Sequence, residues 1–336
     1  MRVRWRLLVL TLWFSVPSLG NAQTLSTPQP CDASPFPTVL TVEGGGSLGV
    51  YEAGMTYLLV NIFKRKWLNA EVSPRIDSLR PLCLSVVTGA SAGNINAFLA
   101  ASDWCDARLT DSPERSLFWS TWVTTGLMQL FPTRGEEPKD TALLSRRHFD
   151  GYLQQALRKS WGNARWIPDC HVQFGATVTR LYADSVRGAG AMYARNQRMA
   201  FAFSIEGIDS VPILRPFAAS AENYSFGALK SLRPNRDNRI LWTDAFGLIE
   251  TSSGYPLAFQ PLRISYCNYL GVGQCTDTTS ALALDGGVFD NGPVAFAYSL
   301  WFEHHVRTKP IVVYLSPDRR RTWPGTSGWR WRIGTH

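Results

Sequence analysis

The sequence is short of several features, and each absence sets aside a class of protein. None of its six cysteines stands at CxxC spacing, which excludes the paired-cysteine form of zinc site. After the first residues, no apolar run approaches the roughly 20 residues that a membrane-spanning helix needs. No internal repeat is present, and no folded nucleic-acid-reading motif accompanies the basic residues, so no nucleic acid partner is expected. Charge is sparse as well. Of 336 residues, 18% are charged and 45% hydrophobic, the balance of ordinary globular material, enough for one large domain or two small ones.

The first residues, MRVRWR, are basic, the run LLVLTLWFSV is apolar, and small residues at Gly20 and Ala22 follow. Residues 1–22 therefore read as a secretory signal peptide cut after Ala22, and a secreted or periplasmic protein is expected. Removing Arg2, Arg4 and Arg6 takes the formal charge from +8 to +5, so the mature chain is mildly basic. The cysteines, Cys31, Cys83, Cys105, Cys170, Cys267 and Cys275, are even in number, which suits an oxidising compartment. Residues 23–37, with TPQPC, read as a linker, residues 38–316 as the folded domain, and residues 317–336 as a basic tail. The tail's RRRTWPGTSGWRWRIGTH pairs arginine with tryptophan, as expected for peripheral contact with an anionic lipid surface.

TVLTVE, residues 38–43, is an apolar run that stops at glycine, and residues 50–62 follow with helical spacing. The same order of strand, small-residue turn and helix recurs from Leu84–Val87 to Asn94–Ala101. Further apolar runs lie in HVQFGATV, in ALAL before Asp285, and in PIVVYLSP. Strands alternating with helices predict an α/β domain with a largely parallel sheet. Ser116–Phe131 reads as a core helix, or as a wall beside a site. TALLSRRHFDGYLQQAL reads as a helix with a threonine or aspartate cap, and residues 180–250 as polar loops. A strand over 84–90 rises roughly 23 Å and a helix of about twelve residues returns roughly 18 Å. That predicts a Cys83–Cys105 disulfide, a Cys267–Cys275 pair closing a loop, and Cys31 with Cys170 by elimination.

Three short motifs carry the chemistry. In VEGGGSLGVYEAG, the glycines Gly44, Gly45 and Gly46 let the backbone approach something closely, and their amides could hold an oxyanion. Gly44, Gly46 and Gly49 also satisfy GxGxxG, but the dinucleotide reading wants an acid about 20 residues on, where NIFKRKW is basic. In GASAG, Ser91 sits between glycines at a strand-to-helix turn, the setting of a nucleophile. In DGG, Asp285 ends an apolar run and could act as the base for a serine.

In this order, GGGSLG, GASAG and DGG resemble the patatin-like phospholipase family, and SSGYPLAFQP, Ser252 to Pro261, resembles its serine, proline and phenylalanine segment. The resemblance runs from about Thr38 to about Leu315. It implies an α/β fold of three layers, with a mostly parallel central sheet flanked by helices on both faces. It also implies a serine acyl hydrolase of phospholipase A or lysophospholipase type. Ser91 would attack an ester carbonyl, Asp285 take its proton, and Gly44, Gly45 and Gly46 hold the oxyanion. The implied partner is a phospholipid or other acyl-ester lipid, with no metal or cofactor. One departure is Leu48, where the family commonly carries arginine or lysine. The alternatives are a generic carboxylesterase, a triad enzyme using His304 or His305, and a catalytically silent lipid-binding protein on the same fold.

Overall fold

The computed structural model of the chain describes residues 31, 36–68, 82–123, 130–132, 142–187, 193–208, 211–217, 229–268, 275, 278–304 and 309–317. The expected signal peptide lies outside these residues, as do all of the linker except Cys31, Phe36 and Pro37, and all of the basic tail except Pro317.

Two strand–turn–helix units open the domain. β1 (Pro37–Val42) leads to α1 (Gly49–Trp67), and β2 (Cys83–Gly89) leads to α2 (Ala92–Trp104). β1 and β2 are parallel, with Val42 opposite Gly89, and the last strand β9 (Ile311–Leu315) runs parallel on the other side of β1. Both strands are buried on both faces, which explains their unbroken apolar runs.

The remaining strands are β3 (His171–Arg187), β4 (Tyr193–Ile208), β5 (Val211–Pro216), β6 (Leu229–Ser231), β7 (Leu262–Asn268) and β8 (Thr278–Asp285). The nine strands form one sheet in the order β5-β4-β6-β7-β8-β3-β2-β1-β9, with β4 also paired to β3. Strand pairs β1–β2, β1–β9, β2–β3 and β4–β6 are parallel, whereas β3–β4, β3–β8, β4–β5, β6–β7 and β7–β8 are antiparallel. The sheet is thus mixed, which corrects the expectation of a mostly parallel one. Residues 180–250 are corrected likewise, since they hold β4, β5, β6 and the end of β3. In MAFAFSI, Met199, Phe201, Phe203 and Ile205 join one core cluster while Ala200 and Ala202 join the other. With both faces apolar, the strand has no polar alternation to announce it.

The other helices are α3 (Leu117–Trp122), α4 (Arg147–Gly162), α5 (Trp242–Ser252) and α6 (Val294–His304). α4 starts at Arg147 with Arg146 at its N-cap and no side-chain cap, so the expected threonine or aspartate is not used. The two faces of β1 and β2 meet different helices, a register shift between Leu84 and Val86 putting those two residues on opposite faces. Leu40, Val42, Leu84 and Val87 join Ala97, Phe98 and Ala101 of α2, while Val39 and Val86 join Phe296, Ala297 and Leu300 of α6. Phe98 anchors the larger cluster, its ring meeting those of Phe174, Trp242 and Phe246 edge to face. Burying such a ring contributes about 1.5–3 kcal/mol.

Three disulfides join Cys31 to Cys83, Cys105 to Cys170, and Cys267 to Cys275. The last pair is as expected and the other two are not. A helix lying on a sheet stands a layer's thickness away from it, so Cys105 at the end of α2 does not come down to Cys83. Instead Ile167 donates to the Cys105 carbonyl (2.9 Å), and Asp106 bridges Trp166, which brings Cys170 to a Cα distance of 5.5 Å.

Candidate active site

Ser91 occupies the turn between β2 and α2 with φ 54° and ψ −134°. Non-glycine residues avoid this region, at a cost of about 1–3 kcal/mol, and the strain persists only where the surroundings enforce it. Here the enforcement is close packing. A Cβ on Gly93 would stand 2.4 Å from the carbonyl oxygens of both Val42 and Glu43, so only glycine lets the first turn of α2 rest on the end of β1. The Ser91 N–H donates to the carbonyl of Ser252 (3.1 Å), fixing the elbow from the side of α5.

The strand register brings Asp285 to this elbow. β2 runs parallel to β3 and its Gly89 lies opposite Ala176, while β8 approaches the same edge of β3 from the other direction and its Asp285 lies opposite Val178. The C-terminal ends of the two strands therefore meet at Thr177. The Ser91 hydroxyl donates to Asp285 Oδ2 at 2.6 Å, while Asp285 Oδ1 accepts from the Gly287 N–H at 2.7 Å. Asp285 is 1% exposed. Burial raises its pKa to about 6, against the opposing pull of the Ser91 and Gly287 hydrogen bonds and the Arg146 charge. Such a group is a carboxylate at neutral pH, yet a better proton acceptor than an exposed aspartate.

What the glycine run approaches is the serine. A Cβ on Gly44 would stand 2.7 Å from Ser91 Cβ and 2.9 Å from the Ala90 carbonyl oxygen. The Gly44 amide, however, donates to the carbonyl of Asn291 (3.0 Å), and the Asn291 side chain donates back to the Gly44 carbonyl (2.8 Å) and to Glu43 Oε1 (3.2 Å). Tyr314 of β9 donates its hydroxyl to the other oxygen of Glu43. Gly44 is thus engaged inside the protein. The amides of Gly45 and Gly46 make no hydrogen bond to another described residue, and Gly46 turns the loop with φ 53°.

Arg146 braces the far wall. Its guanidinium donates to the carbonyls of Glu250 (2.6 Å) and Gln260 (3.2 Å) and lies 5.0 Å over the Phe259 ring. The segment it holds supplies two contacts to the site, the Ser252 carbonyl on the Ser91 N–H and the Gly254 carbonyl on the Asp285 N–H (3.1 Å). Burial pushes the neighbouring Asp150 carboxyl up to about 7, assisted by Glu250 and opposed by Arg146.

Large apolar side chains border these loops. Leu48 follows the glycine run, Tyr255 and Leu257 follow the Ser252–Gly254 segment, and Val288 and Phe289 follow Asp285; their exposures run from 48% to 77%. α3 lies beside the same loop, Trp122 packing on Gly49 and donating to Asn96 Oδ1 (2.7 Å), so Ser116–Trp122 packs as core next to the glycine loop, while residues 124–129 of the expected helix lie outside the described residues.

The structure brings Ser91, Asp285 and the glycine loop together. His304 closes α6, His305 lies outside the described residues, and the partners of Ser91 and Asp285 named above include no histidine. Sequence reading missed Asn291 and Arg146. Asn291 stands six residues after Asp285 within DGGVFDN, and only its position beside an aspartate motif hinted at it. Arg146 had no local signal, because it reaches carbonyls far along the chain.

A serine on a strand–turn–helix elbow at the end of a parallel strand, with a carboxylate in reach, is the arrangement that serine hydrolases use. The family model for patatin-like phospholipases matches residues 40–298 of this chain. The protein belongs to that family, whose members are lipid acyl hydrolases. No curated protein matches the chain.

Proposed function

We propose that the protein cleaves fatty acyl esters of phospholipids or lysophospholipids through a Ser91–Asp285 dyad. The observation that carries this reading is the 2.6 Å hydrogen bond from the strained Ser91 to the buried Asp285. Asp285 takes the hydroxyl proton as Ser91 Oγ attacks the carbonyl carbon. The developing oxyanion is held by the amides of Gly45 and Gly46, and Gly44 serves as the fixed base of the loop. Asp285 then protonates the leaving alcohol, which departs and leaves an acyl-serine. Water, deprotonated by Asp285, attacks the acyl group, and fatty acid is released as the proton returns to Ser91.

The exposed apolar border of Leu48, Tyr255, Leu257, Val288 and Phe289 supports a lipid substrate presented at a membrane surface, with the protein bound peripherally. The three disulfides support a secreted or periplasmic setting. Fatty acid release from phospholipid vesicles, lysophospholipid micelles and a short-chain aryl ester tests the substrate class. Preference for the lipids is the expected result, and hydrolysis of the aryl ester alone would leave a generic esterase.

A further inference from the structure

Glu52 lies in the first turn of α1, directly behind the glycine loop. It is 2% exposed, and neither carboxyl oxygen has a hydrogen-bond partner among the described residues. Its Oε1 is 2.9 Å from where a Cβ on Gly45 would stand, so the carboxyl forms the floor under the amides assigned to the oxyanion. We propose that Glu52 is a positioning residue of the oxyanion loop that works only in its neutral form, supporting Gly45 by packing and withdrawing that support when it ionises. This rests on the acyl hydrolase reading above.

Ionisation would place a full negative charge beneath the site where the substrate oxygen becomes negative, opposing the oxyanion in a place with little water to screen it. Among the described residues, the neighbouring elements offer that charge no relief. The facing charged group is Glu43 at the end of β1, an acid held by Tyr314 of β9 and by Asn291. β2 and α3 contain no ionisable side chain, and Asp103 of α2 is paired with Lys64 three turns further along α1. Burial, with Glu43 adding to it, raises the Glu52 pKa to about 8. The proton is thus retained at neutral pH and lost within reach of ordinary assays.

The test compares wild type with Glu52→Gln, which keeps the shape and cannot ionise, and with Glu52→Leu, which removes an unpartnered carboxyl and is expected to fold at least as well. Hydrolysis of a soluble acyl ester is followed across the alkaline range, and thermal midpoints are recorded over the same series. Wild-type activity is expected to fall about tenfold per pH unit above the ionisation, as the neutral fraction does. Glu52→Gln keeps its activity at neutral pH within roughly threefold and holds it through the alkaline range. Because a raised folded-state pKa contributes stability that is lost as pH rises towards it, the midpoint of Glu52→Gln gains on wild type between about pH 5 and about pH 8. An unchanged alkaline fall in both variants, a neutral-pH loss above about tenfold in Glu52→Gln, or a midpoint difference that does not move with pH would each overturn the assignment. A wild type inactive on every ester would instead overturn the acyl hydrolase reading, while the midpoints still report whether Glu52 is a buried neutral acid.

Discussion

The parallel strands β9, β1 and β2 and the antiparallel strand β8 serve the site in different ways. Of the parallel strands, β1 and β2 end in turns into helices, and those turns contribute backbone: the glycine loop after β1 and the strained Ser91 after β2; β9 flanks β1 and supplies Tyr314 to Glu43. β8 comes from the opposite direction and contributes one charged side chain at its last residue, Asp285. The first set works by close approach, as the hypothetical Cβ contacts at Gly44 and Gly93 make plain. In the proposed mechanism the second acts through one proton, tuned by burial, two hydrogen bonds and a distant guanidinium. Added bulk is therefore expected to damage the parallel side and altered charge the antiparallel side.

The largest effect belongs to Ser91→Ala, for which acyl release is expected to drop by roughly 10⁴-fold or more with the fold intact. Circular dichroism and fatty acid release would check both halves of that statement. Asp285→Asn is expected next, at about 10²- to 10⁴-fold. In wild type the activity is expected to rise with pH through about 6 as Asp285 ionises. Stability runs the other way. A folded-state pKa raised from 3.8 to about 6 means that the contribution of Asp285 is complete below the lower value and lost as pH rises through the upper one. Asp285→Asn should thus gain on wild type in unfolding free energy from pH 4 to pH 7, by on the order of 1–3 kcal/mol, read as a relative rise in thermal midpoint over that range.

Loosening the backbone clamp is expected to cost less. Asn291→Ala frees the Gly44 carbonyl and Glu43 from their shared donor, and a misplaced loop lowers kcat by roughly ten- to a hundredfold with little change in KM. Gly93→Ala, which drives a methyl into two carbonyl oxygens, destabilises the fold by about 1–3 kcal/mol, visible in chemical denaturation. The smallest effect is that of Arg146→Gln. Removing the positive charge moves the acid limb of the pH–rate profile to higher pH while the alkaline limb stays in place.

The same contrast governs what could be read from sequence. β1, β2 and their helices are parallel-sheet units whose buried strands are apolar throughout and whose turns are glycine-rich, so motif and element coincide at Gly44 and Ser91. Asp285 was legible because it ends ALAL before two glycines. The long β3–β4 pairing was not, since Phe201 and Ala202 are both buried and leave no alternation between polar and apolar faces. Nor was the mixed character of the sheet, because strand direction depends on connections that carry no local signal. Among the disulfides, Cys267–Cys275 was open to reading because the two cysteines are near in sequence, whereas Cys105–Cys170 depends on a tertiary contact with the segment around Trp166.

The most direct test of the dyad is fatty acid release from mixed phospholipid vesicles by wild type, Ser91→Ala, Asp285→Asn and a His304→Ala/His305→Ala double variant, each confirmed to be folded. The account predicts that the first two variants lose release and the histidine variant keeps it. Retained release in Asp285→Asn, with loss in the histidine variant, would contradict the account and point to a triad.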